Sequence, residues 1–326
     1  MQKHLSYLDG WRGCAILLLL FGHFNPVQMI AGHWIYTGRL GVECFFVLSG
    51  RLMAEILFIG NTKITTFYWR RFSRIFPALW LFVILVWLTV ADVTASDVVR
   101  ALTFTANYSP INDTLQHIWS LCVEEHSYVL LSIIALIARA RRFNVPMVLG
   151  IIAAACAVNG LVQTIWLHRS YLDVYVHSDV RAASVLMGSA WYLALRDKSV
   201  PSWLPIIAGL IGLFIGVYDK LPDTVKYTAG TLGLAIAVAT LDQAPAWCRT
   251  LLSLKPLTKI GEWSFSLYLW QQPFFIVKTL PLAIRLGLLS VLALTSYYVV
   301  ERPARKALNE AWRNRLRSLS PATSSV

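Results

Sequence analysis

Two ionisable residues with complementary chemistry, Arg12 and His23, lie in the first apolar stretch of the chain. At roughly 100° per residue, an α-helix would bring both onto one face, with their Cα atoms about 16 Å apart along the axis. A guanidinium group is suited to bind phosphate, and a neutral imidazole is suited to take up a proton. Alternatively, Arg12 could snorkel to lipid headgroups and His23 could be a core residue bonded to a neighbouring helix.

A carboxylate, Glu43, lies in the apolar run GVECFFVLSG, at the depth expected for His23. There it could accept a hydrogen bond from the imidazole and hold it in one tautomer, as the acid of a catalytic triad does. Arg39 precedes Glu43 at i,i+4 spacing, so an intrahelical ion pair is an alternative. Arg51 and Glu55 share this spacing, and for them we prefer the ion pair.

A basic motif, FYWRRFSRIFPALW, precedes a further apolar run. Arg71 and Arg74 are spaced i,i+3, so a helix would place both guanidinium groups on one face. Such a pair could clamp phosphate groups through charge-assisted hydrogen bonds. The alternative is that these arginines only anchor the cytoplasmic end of a membrane helix.

A polar stripe lies in the apolar run IWSLCVEEHSYVLL, where Ser120, Glu124 and Tyr128 follow i,i+4 spacing. Glu125 is adjacent to Glu124, and two neighbouring carboxylates in an apolar run are hard to explain as packing. They favour acid–base chemistry. His117 with both glutamates could be considered a metal site, but the chain has no H-E-x-x-H motif and adjacent helix residues do not converge, so we predict no metal.

The composition shows that these residues do not lie in a soluble globular domain. Hydrophobic residues make up 57% of the 326 residues and charged residues only 14%, whereas soluble domains carry about 25% charged residues. The chain has neither a P-loop nor a G-x-S-x-G motif. We therefore expect neither direct use of ATP nor the serine elbow of a soluble hydrolase.

The apolar segments predict an all-α polytopic membrane protein with about ten transmembrane helices. They lie near 8–27, 34–59, 75–91, 118–138, 146–167, 180–196, 202–218, 225–241, 260–280 and 282–300. The shorter stretch 98–106 is predicted to be re-entrant or interfacial, since about 20 residues are needed to cross the hydrocarbon core.

The positive charges predict the orientation of this bundle. Lys and Arg concentrate in loops that are cytoplasmic if the N-terminus is cytoplasmic, which is the positive-inside pattern and places both termini there. Residues 1–300 then form the transmembrane domain, and 301–326 form a basic cytoplasmic tail. This orientation also accounts for the net charge of +12 without a nucleic-acid partner.

Taken together, the motifs resemble those of the acyltransferase 3 family of integral membrane acyltransferases. YLDGWRGCAILLLLFGHF is similar to the family opening, GRLGVECFFVLSG to its second-helix motif, FYWRRFSRIFPALW to its R-x-x-R loop and HIWSLCVEEHSYVLL to its W-S-L-x-x-E-E segment. HSDVRAASVLMGSAW, IGEWSFSLYLWQQPFFI and ERPARKAL resemble later motifs. Gln271 and Gln272 stand where the family often has His, which argues against a catalytic role at that position.

The resemblance implies a bacterial inner-membrane, multi-pass enzyme that transfers an acyl group, usually acetyl from acetyl-coenzyme A, onto a sugar hydroxyl. The acceptor would be a surface polysaccharide, lipopolysaccharide or related glycan, or a lipid-linked sugar. Membrane lipid would surround the protein. In such an enzyme, Arg12, Arg71 and Arg74 are expected to bind the phosphate groups of coenzyme A. His23 would be the general base or transient acyl carrier.

The remaining residues complete this expected site. Glu43 would orient His23, and Glu124 with Glu125 would bind the sugar or assist proton transfer. Arg181 would hold the thioester oxygen or a phosphate. Ser120 and Tyr128 would contact substrate. A transporter or flippase for a lipid-linked or charged solute is the alternative, because it also explains intramembrane charges, although it does not explain the arginine motif together with the Arg12–His23 spacing.

Overall fold

The computed structural model describes residues 5–25, 29–30, 33–34, 37–218 and 220–319. Apart from a two-residue antiparallel pairing of Met29–Ile30 with His33–Trp34, the regular elements of these residues are all helical. The helices are α1 (Ser6–Phe24), α2 (Thr37–Ala54), α3 (Ile64–Thr89), α4 (Ala95–Leu102), α5 (Trp119–Ala140), α6 (Val145–Ile165), α7 (Tyr171–Val176), α8 (Ser178–Leu195), α9 (Leu204–Val217), α10 (Asp223–Val225), α11 (Thr231–Thr240), α12 (Ala246–Leu252), α13 (Lys255–Ile276), α14 (Leu282–Thr295) and α15 (Arg302–Leu319).

Short irregular helical turns join several of these helices. The π-helical turns are Glu55–Ile59 after α2, Lys226–Gly230 before α11 and Ser296–Glu301 after α14, and the 3₁₀ turns are Gln116–Ile118 before α5 and Leu241–Gln243 after α11. The all-α prediction is thereby confirmed.

Five helices among the described residues are long and apolar enough to cross a membrane. They are Ile64–Thr89, Gln116–Ala140, Val145–Ile165, Asp223–Gln243 and Leu282–Ser318. Helices α1, α2 and α8 are not among them, because they contain ionisable side chains that lower their mean hydropathy. The full count of ten crossings and the cytoplasmic location of both termini remain predictions.

The segment near 98–106 does not form a membrane-crossing helix. Helix α4 has eight residues and is therefore about 12 Å long, well short of a hydrocarbon core of about 30 Å. Thr94 and Asp97 form a capping box at its start. Beyond its end, Phe104 has a φ of 56° and packs edge-on against Phe76 of α3. These bounds agree with a re-entrant or interfacial segment.

Close backbone contacts fix α1 against α2. A Cβ atom at Gly22 would clash with the backbone nitrogen of Gly38, so the two helices touch directly at this point. Small residues allow such contacts between membrane helices, where van der Waals packing takes the place of the hydrophobic effect. The residue after Gly22 is His23, and its ring is consequently held against α2.

A second close contact joins α2 to α8. A Cβ atom at Gly188 would clash with the carbonyl of Val47, and one at Gly50 would clash with the carbonyl of Val185. Ser189 also donates a 2.8 Å hydrogen bond to the Gly50 carbonyl. This contact brings the α8 side chains against the polar side chains of α2.

Candidate active site

The His23 side chain is held in one tautomer from α13. Its Nδ1 atom lies 2.6 Å from Oε1 of Gln271, and its ring stacks on Phe275 with centroids 4.6 Å apart. An amide oxygen can only accept a hydrogen bond, so Nδ1 carries the proton and Nε2 keeps its lone pair. A Cβ atom at Gly38 would lie 3.3 Å from Nε2, so this nitrogen faces the small residue of α2.

The Gln271 amide is itself oriented by its neighbour. Its Nε2 donates to Oε1 of Gln272 at 3.3 Å, and Nε2 of Gln272 donates to the Asp113 carbonyl at 3.0 Å. Both glutamines are buried. Because the nitrogen of Gln271 is occupied in this way, its oxygen is the atom that faces His23. Gln271 therefore has a direct contact with the imidazole, although the sequence argued against a catalytic role at this position.

Glu43 has partners other than the expected His23, which corrects its predicted role. Its carboxylate forms an ion pair with Arg181 and accepts hydrogen bonds from Ser184 at 2.8 Å and Thr231 at 3.0 Å. The physical reason is that Arg181 is almost fully buried, and a buried guanidinium requires a hydrogen-bonded counter-ion. Glu43 thus neutralises Arg181 of α8, and His23 is bonded to Gln271 of α13 instead.

Arg181 is enclosed by aromatic rings as well as by Glu43. Its guanidinium carbon lies 4.2 Å from the ring centroid of Tyr227 and 4.9 Å from that of Tyr175. Cation–π contacts of this kind are strongest where the cation has lost its water. Its predicted role was to bind substrate, but it does not line the cavity described next. The pair joins α2 to α8.

Six of the ten predicted site residues line one cavity of about 100 Å³. The cavity lies between α1, α2, α3, α5 and α13. Its polar lining from the predicted set is Arg12, Arg71, Arg74, Ser120, Glu124 and Tyr128. The other four, His23, Glu43, Glu125 and Arg181, lie outside this lining.

The three arginines of the cavity differ in how far their charge is already compensated. Arg71 donates two hydrogen bonds to Glu125, at 2.8 and 3.1 Å, and lies 3.7 Å from Glu124. Arg12 pairs with Asp9 at 2.8 Å. Arg74 forms no ion pair with a carboxylate in the part of the chain that the structure describes. Arg74 is therefore the cation with the most capacity left for a bound anion.

The polar side chains of α5 are tied to the neighbouring helices. Glu124 accepts hydrogen bonds from Ser49 at 2.8 Å and from Tyr128 at 2.9 Å. Ser120 lies 2.6 Å from the hydroxyl of Tyr268, which also lines the cavity. Tyr268 and Gln271 are one helical turn apart on α13, so this turn runs from the cavity to the His23 ring.

The sequence interpretation missed Tyr268 and Phe275, and it named Gln271 only to argue against a catalytic role. All three lie in IGEWSFSLYLWQQPFFI, the closing motif of the resemblance, and that motif was the available signal. The metal site that we considered at His117, Glu124 and Glu125 is a separate question. Within the described ranges no group of three His, Cys, Asp or Glu side chains is arranged to hold a metal ion. His117 packs between Phe82 and Tyr268.

Comparison with known proteins identifies the family to which this helical frame belongs. The sequence model of a family described as an acyltransferase domain matches residues 5–300, which is most of the chain. The chain belongs to the acyltransferase 3 family. The match agrees with the resemblance that the motifs indicated.

Relatives in this family include named O-acetyltransferases. The chain is 27% identical to the O-acetyltransferase OatA of Staphylococcus aureus (strain NCTC 8325 / PS 47), over 93% of this chain and 58% of the relative. It is 24% identical to the peptidoglycan O-acetyltransferase OatA of Listeria monocytogenes, over 94% of this chain and 56% of the relative. It is 25% identical to the putative peptidoglycan O-acetyltransferase YrhL of Bacillus subtilis, over 93% and 55%.

The chain thus spans somewhat more than half the length of these relatives. No solved structure matches the chain.

Proposed function

We propose that this acyltransferase-family chain moves an acetyl group from cytoplasmic acetyl-coenzyme A onto a hydroxyl of a sugar in a cell-surface glycan. The family match and the O-acetyltransferase names of its bacterial relatives support the reaction class. The observation that carries the proposal is the arrangement of α1. This helix has a cationic cavity near Arg12 and, eleven residues later, an imidazole with a defined basic nitrogen.

The donor binds, in this proposal, with its phosphates against Arg74 and Arg12. Both line the cavity, and among the described residues Arg74 forms no ion pair within 4 Å, although Glu301 interacts with it at longer range. Arg71 contributes less attraction for phosphate, because Glu125 and Glu124 already compensate its charge. Arg12 and His23 are about 16 Å apart along the helix axis, a distance of the order that the pantetheine arm covers. The thioester would then lie beside His23.

The chemical step uses Nε2 of His23 as general base. It takes the proton of the acceptor hydroxyl while that oxygen attacks the thioester carbonyl. The carbon–sulfur bond then breaks, and the imidazolium returns the proton to the departing sulfur, so that free coenzyme A and the sugar ester are the products. Oε1 of Gln271 accepts the hydrogen bond from Nδ1–H throughout, so the proton stays on Nδ1 and Nε2 remains the basic nitrogen.

The bacterial inner (cytoplasmic) membrane is the proposed location, in a multi-pass arrangement. The apolar helices and the bacterial relatives support a bacterial membrane, and the positive-inside pattern supports an orientation with the arginine cavity toward the cytoplasm. A cytoplasmic donor and a glycan acceptor on the other side would then meet near the far end of α1.

The test uses purified protein in lipid nanodiscs with acetyl-labelled acetyl-coenzyme A and a glycan acceptor. His23→Ala should lower label transfer and coenzyme A release together, by about 10²- to 10⁴-fold, the usual contribution of a general base. His168→Asn is the matched control, because His168 is exposed and its φ of 47° suits Asn. Transfer that survives His23→Ala would contradict the proposed base. Solute movement without coenzyme A release would favour the transporter.

A further inference from the structure

The arginine cavity has no net positive charge to offer a strongly anionic donor. Its three arginines lie close to four carboxyl groups, which are those of Asp9, Glu124, Glu125 and Glu301. Acetyl-coenzyme A carries about two negative charges on its diphosphate and about two more on its ribose 3′-phosphate at neutral pH. A neutral cluster can hydrogen-bond a phosphate, but it does not attract an anion of this charge from solution. Such a donor therefore requires further cations beside the cavity.

Helix α15 begins next to this cavity. It follows the π-helical turn that ends at Glu301, whose buried carboxylate accepts a 2.7 Å hydrogen bond from Ser266 of α13. Ser264 and Phe265, the two residues before Ser266, line the cavity. π-Helical turns within helices are frequent at functional sites. The first turn of α15 is therefore positioned at the edge of the cavity.

Two tryptophans hold α15 against α3. The rings of Trp69 and Trp312 stack with centroids 5.0 Å apart. Nε1 of Trp69 donates to the Leu308 carbonyl at 3.0 Å, and Nε1 of Trp312 donates to Oγ1 of Thr66 at 3.4 Å. Residue numbers increase along α15 while they decrease along α3, so the two helices are antiparallel.

This packing brings Arg305 close to Arg74. Arg305, Leu308 and Trp312 share the face of α15 that is turned toward α3. Because the helices are antiparallel, Arg305 lies opposite the turn of α3 that contains Arg74. Arg305 interacts electrostatically with both Arg74 and Glu301. It is half-buried, and it forms no ion pair within 4 Å with a carboxylate of the described residues.

Two further cations lie beside Arg305 on α15. Arg302 precedes it by three residues, Lys306 follows it directly, and both are exposed. Residues three and four apart are neighbours on a helix surface, so the three basic side chains form one patch. The segment 302–309 contains no acidic residue. We call Arg302, Arg305 and Lys306 the α15 patch.

We propose that the α15 patch binds the ribose 3′-phosphate of the donor, with Arg305 as its main ligand. The diphosphate lies against Arg74 and Arg12, and the pantetheine arm continues toward His23. A phosphate monoester accepts short, charge-assisted hydrogen bonds from guanidinium groups. This inference rests on the proposed function, because it names the residues that select coenzyme A over a donor without the 3′-phosphate.

The first test compares acetyl-coenzyme A with acetyl-dephospho-coenzyme A, which lacks only the 3′-phosphate. In phosphatidylcholine nanodiscs with a glycan acceptor, wild type should have a KM about tenfold lower for acetyl-coenzyme A, the effect of one hydrogen bond to a charged group. Arg305→Gln should raise this KM about tenfold and leave the KM for the dephospho donor unchanged, so that the two donors become equal. A preference that survives in Arg305→Gln, or an equal loss with both donors, would overturn the proposal.

Arg315→Gln is the matched control for this comparison. Arg315 is exposed and lies about 15 Å further along the same helix. The substitution removes the same charge from α15, so it should leave the preference for acetyl-coenzyme A at its wild-type value. Loss of the preference in Arg315→Gln as well would indicate a general effect of charge and contradict a site at Arg305.

A lipid head group offers the same phosphate chemistry near a membrane surface. The kinetic measurement is therefore repeated in nanodiscs that also contain phosphatidylglycerol. If Arg305 binds the donor, Arg305→Gln abolishes the preference between the two donors in both kinds of nanodisc. If it binds a lipid phosphate instead, the substitution changes the KM of both donors equally, and only when phosphatidylglycerol is present. That second result would overturn the proposal.

A second test measures binding without catalysis. Coenzyme A, which carries no acetyl group, should bind to wild type in nanodiscs with a Kd about tenfold lower than that of dephospho-coenzyme A, and Arg305→Gln should bind both equally. Equal binding by wild type would overturn the α15 patch, whether or not the protein transfers acetyl groups. A preference for coenzyme A without any acetyl transfer would support the patch and remove the proposed function.

Discussion

Nδ1 of His23 and Oε1 of Gln271 are 2.6 Å apart, although the two residues are 248 positions apart in the chain. The contact joins the C-terminal end of α1 to the same end of α13 and sets the tautomer of the imidazole. A neutral amide performs here the orienting task that a carboxylate performs in a catalytic triad. It does so without adding a negative charge next to the ring.

Removal of this amide should impair the chemical step more than donor binding. Gln271→Leu is expected to lower kcat by about 10- to 100-fold, the range seen when an orienting partner of a functional histidine is lost. The KM for acetyl-coenzyme A should stay within about twofold, because the phosphate cavity is untouched. Steady-state kinetics in nanodiscs would measure both. A large rise in KM with unchanged kcat would contradict an orienting role.

Arg74 should contribute more to donor binding than its neighbours in the same motif. Arg74→Ala is expected to raise the KM for acetyl-coenzyme A by about 10- to 100-fold, as the loss of a hydrogen bond to a charged group does. Arg70→Ala is the control, because Arg70 is exposed and does not line the cavity. Acetyl-pantetheine lacks the nucleotide phosphates, so its KM should be the same in Arg74→Ala and wild type. An equal loss with both donors would refute phosphate binding.

The Glu43–Arg181 pair should support the fold. Arg181→Met leaves Glu43 buried without its counter-ion and should destabilise the protein by about 3–5 kcal/mol. The double variant Glu43→Leu/Arg181→Met removes both charges and should recover most of this loss. Thermal unfolding in detergent would compare the three proteins. Recovery of stability without recovery of transfer would instead indicate that the pair takes part in the reaction.

Gly38 should matter because it leaves space in front of the basic nitrogen. A Cβ atom there would lie 3.3 Å from Nε2 of His23, so we expect the acceptor oxygen to approach this nitrogen beside Gly38. Gly38→Ala is expected to lower kcat/KM at least tenfold, in line with the strict geometry of reacting groups. Gly150→Ala is the control, since a Cβ atom there meets no atom within 4 Å. Normal activity in Gly38→Ala would exclude this approach.

The sequence predicted well those features that depend on local spacing. Within the described residues each predicted apolar segment contains a helix. The i,i+3 and i,i+4 patterns predicted which side chains share a helix face, and the structure shows that Arg71, Arg74, Glu124 and Tyr128 line one cavity. Helix periodicity is a property of neighbouring positions, so it can be read directly from the chain.

Contacts between distant helices were the features that the sequence could not specify. Glu43 was given a partner on α1, whereas its counter-ion lies on α8. Arg51 donates to Asp242 at 2.5 Å, a partner that its i,i+4 spacing from Glu55 could not indicate. A catalytic role for Gln271 was doubted because the family often has His at this position, whereas its contact with His23 depends on which neighbour the side chain faces. Partner choice of this kind depends on helix packing.

The direct contact between Gly22 and Gly38 has a mechanical consequence. Because the backbones of α1 and α2 touch there, the two helices cannot slide or rock past each other without breaking their closest packing. This contact therefore fixes the position of the His23 imidazole, and the substrates have to move toward it. In the proposed reaction the acetyl group would therefore reach His23 through the length of the pantetheine arm, without a movement of α1 against α2.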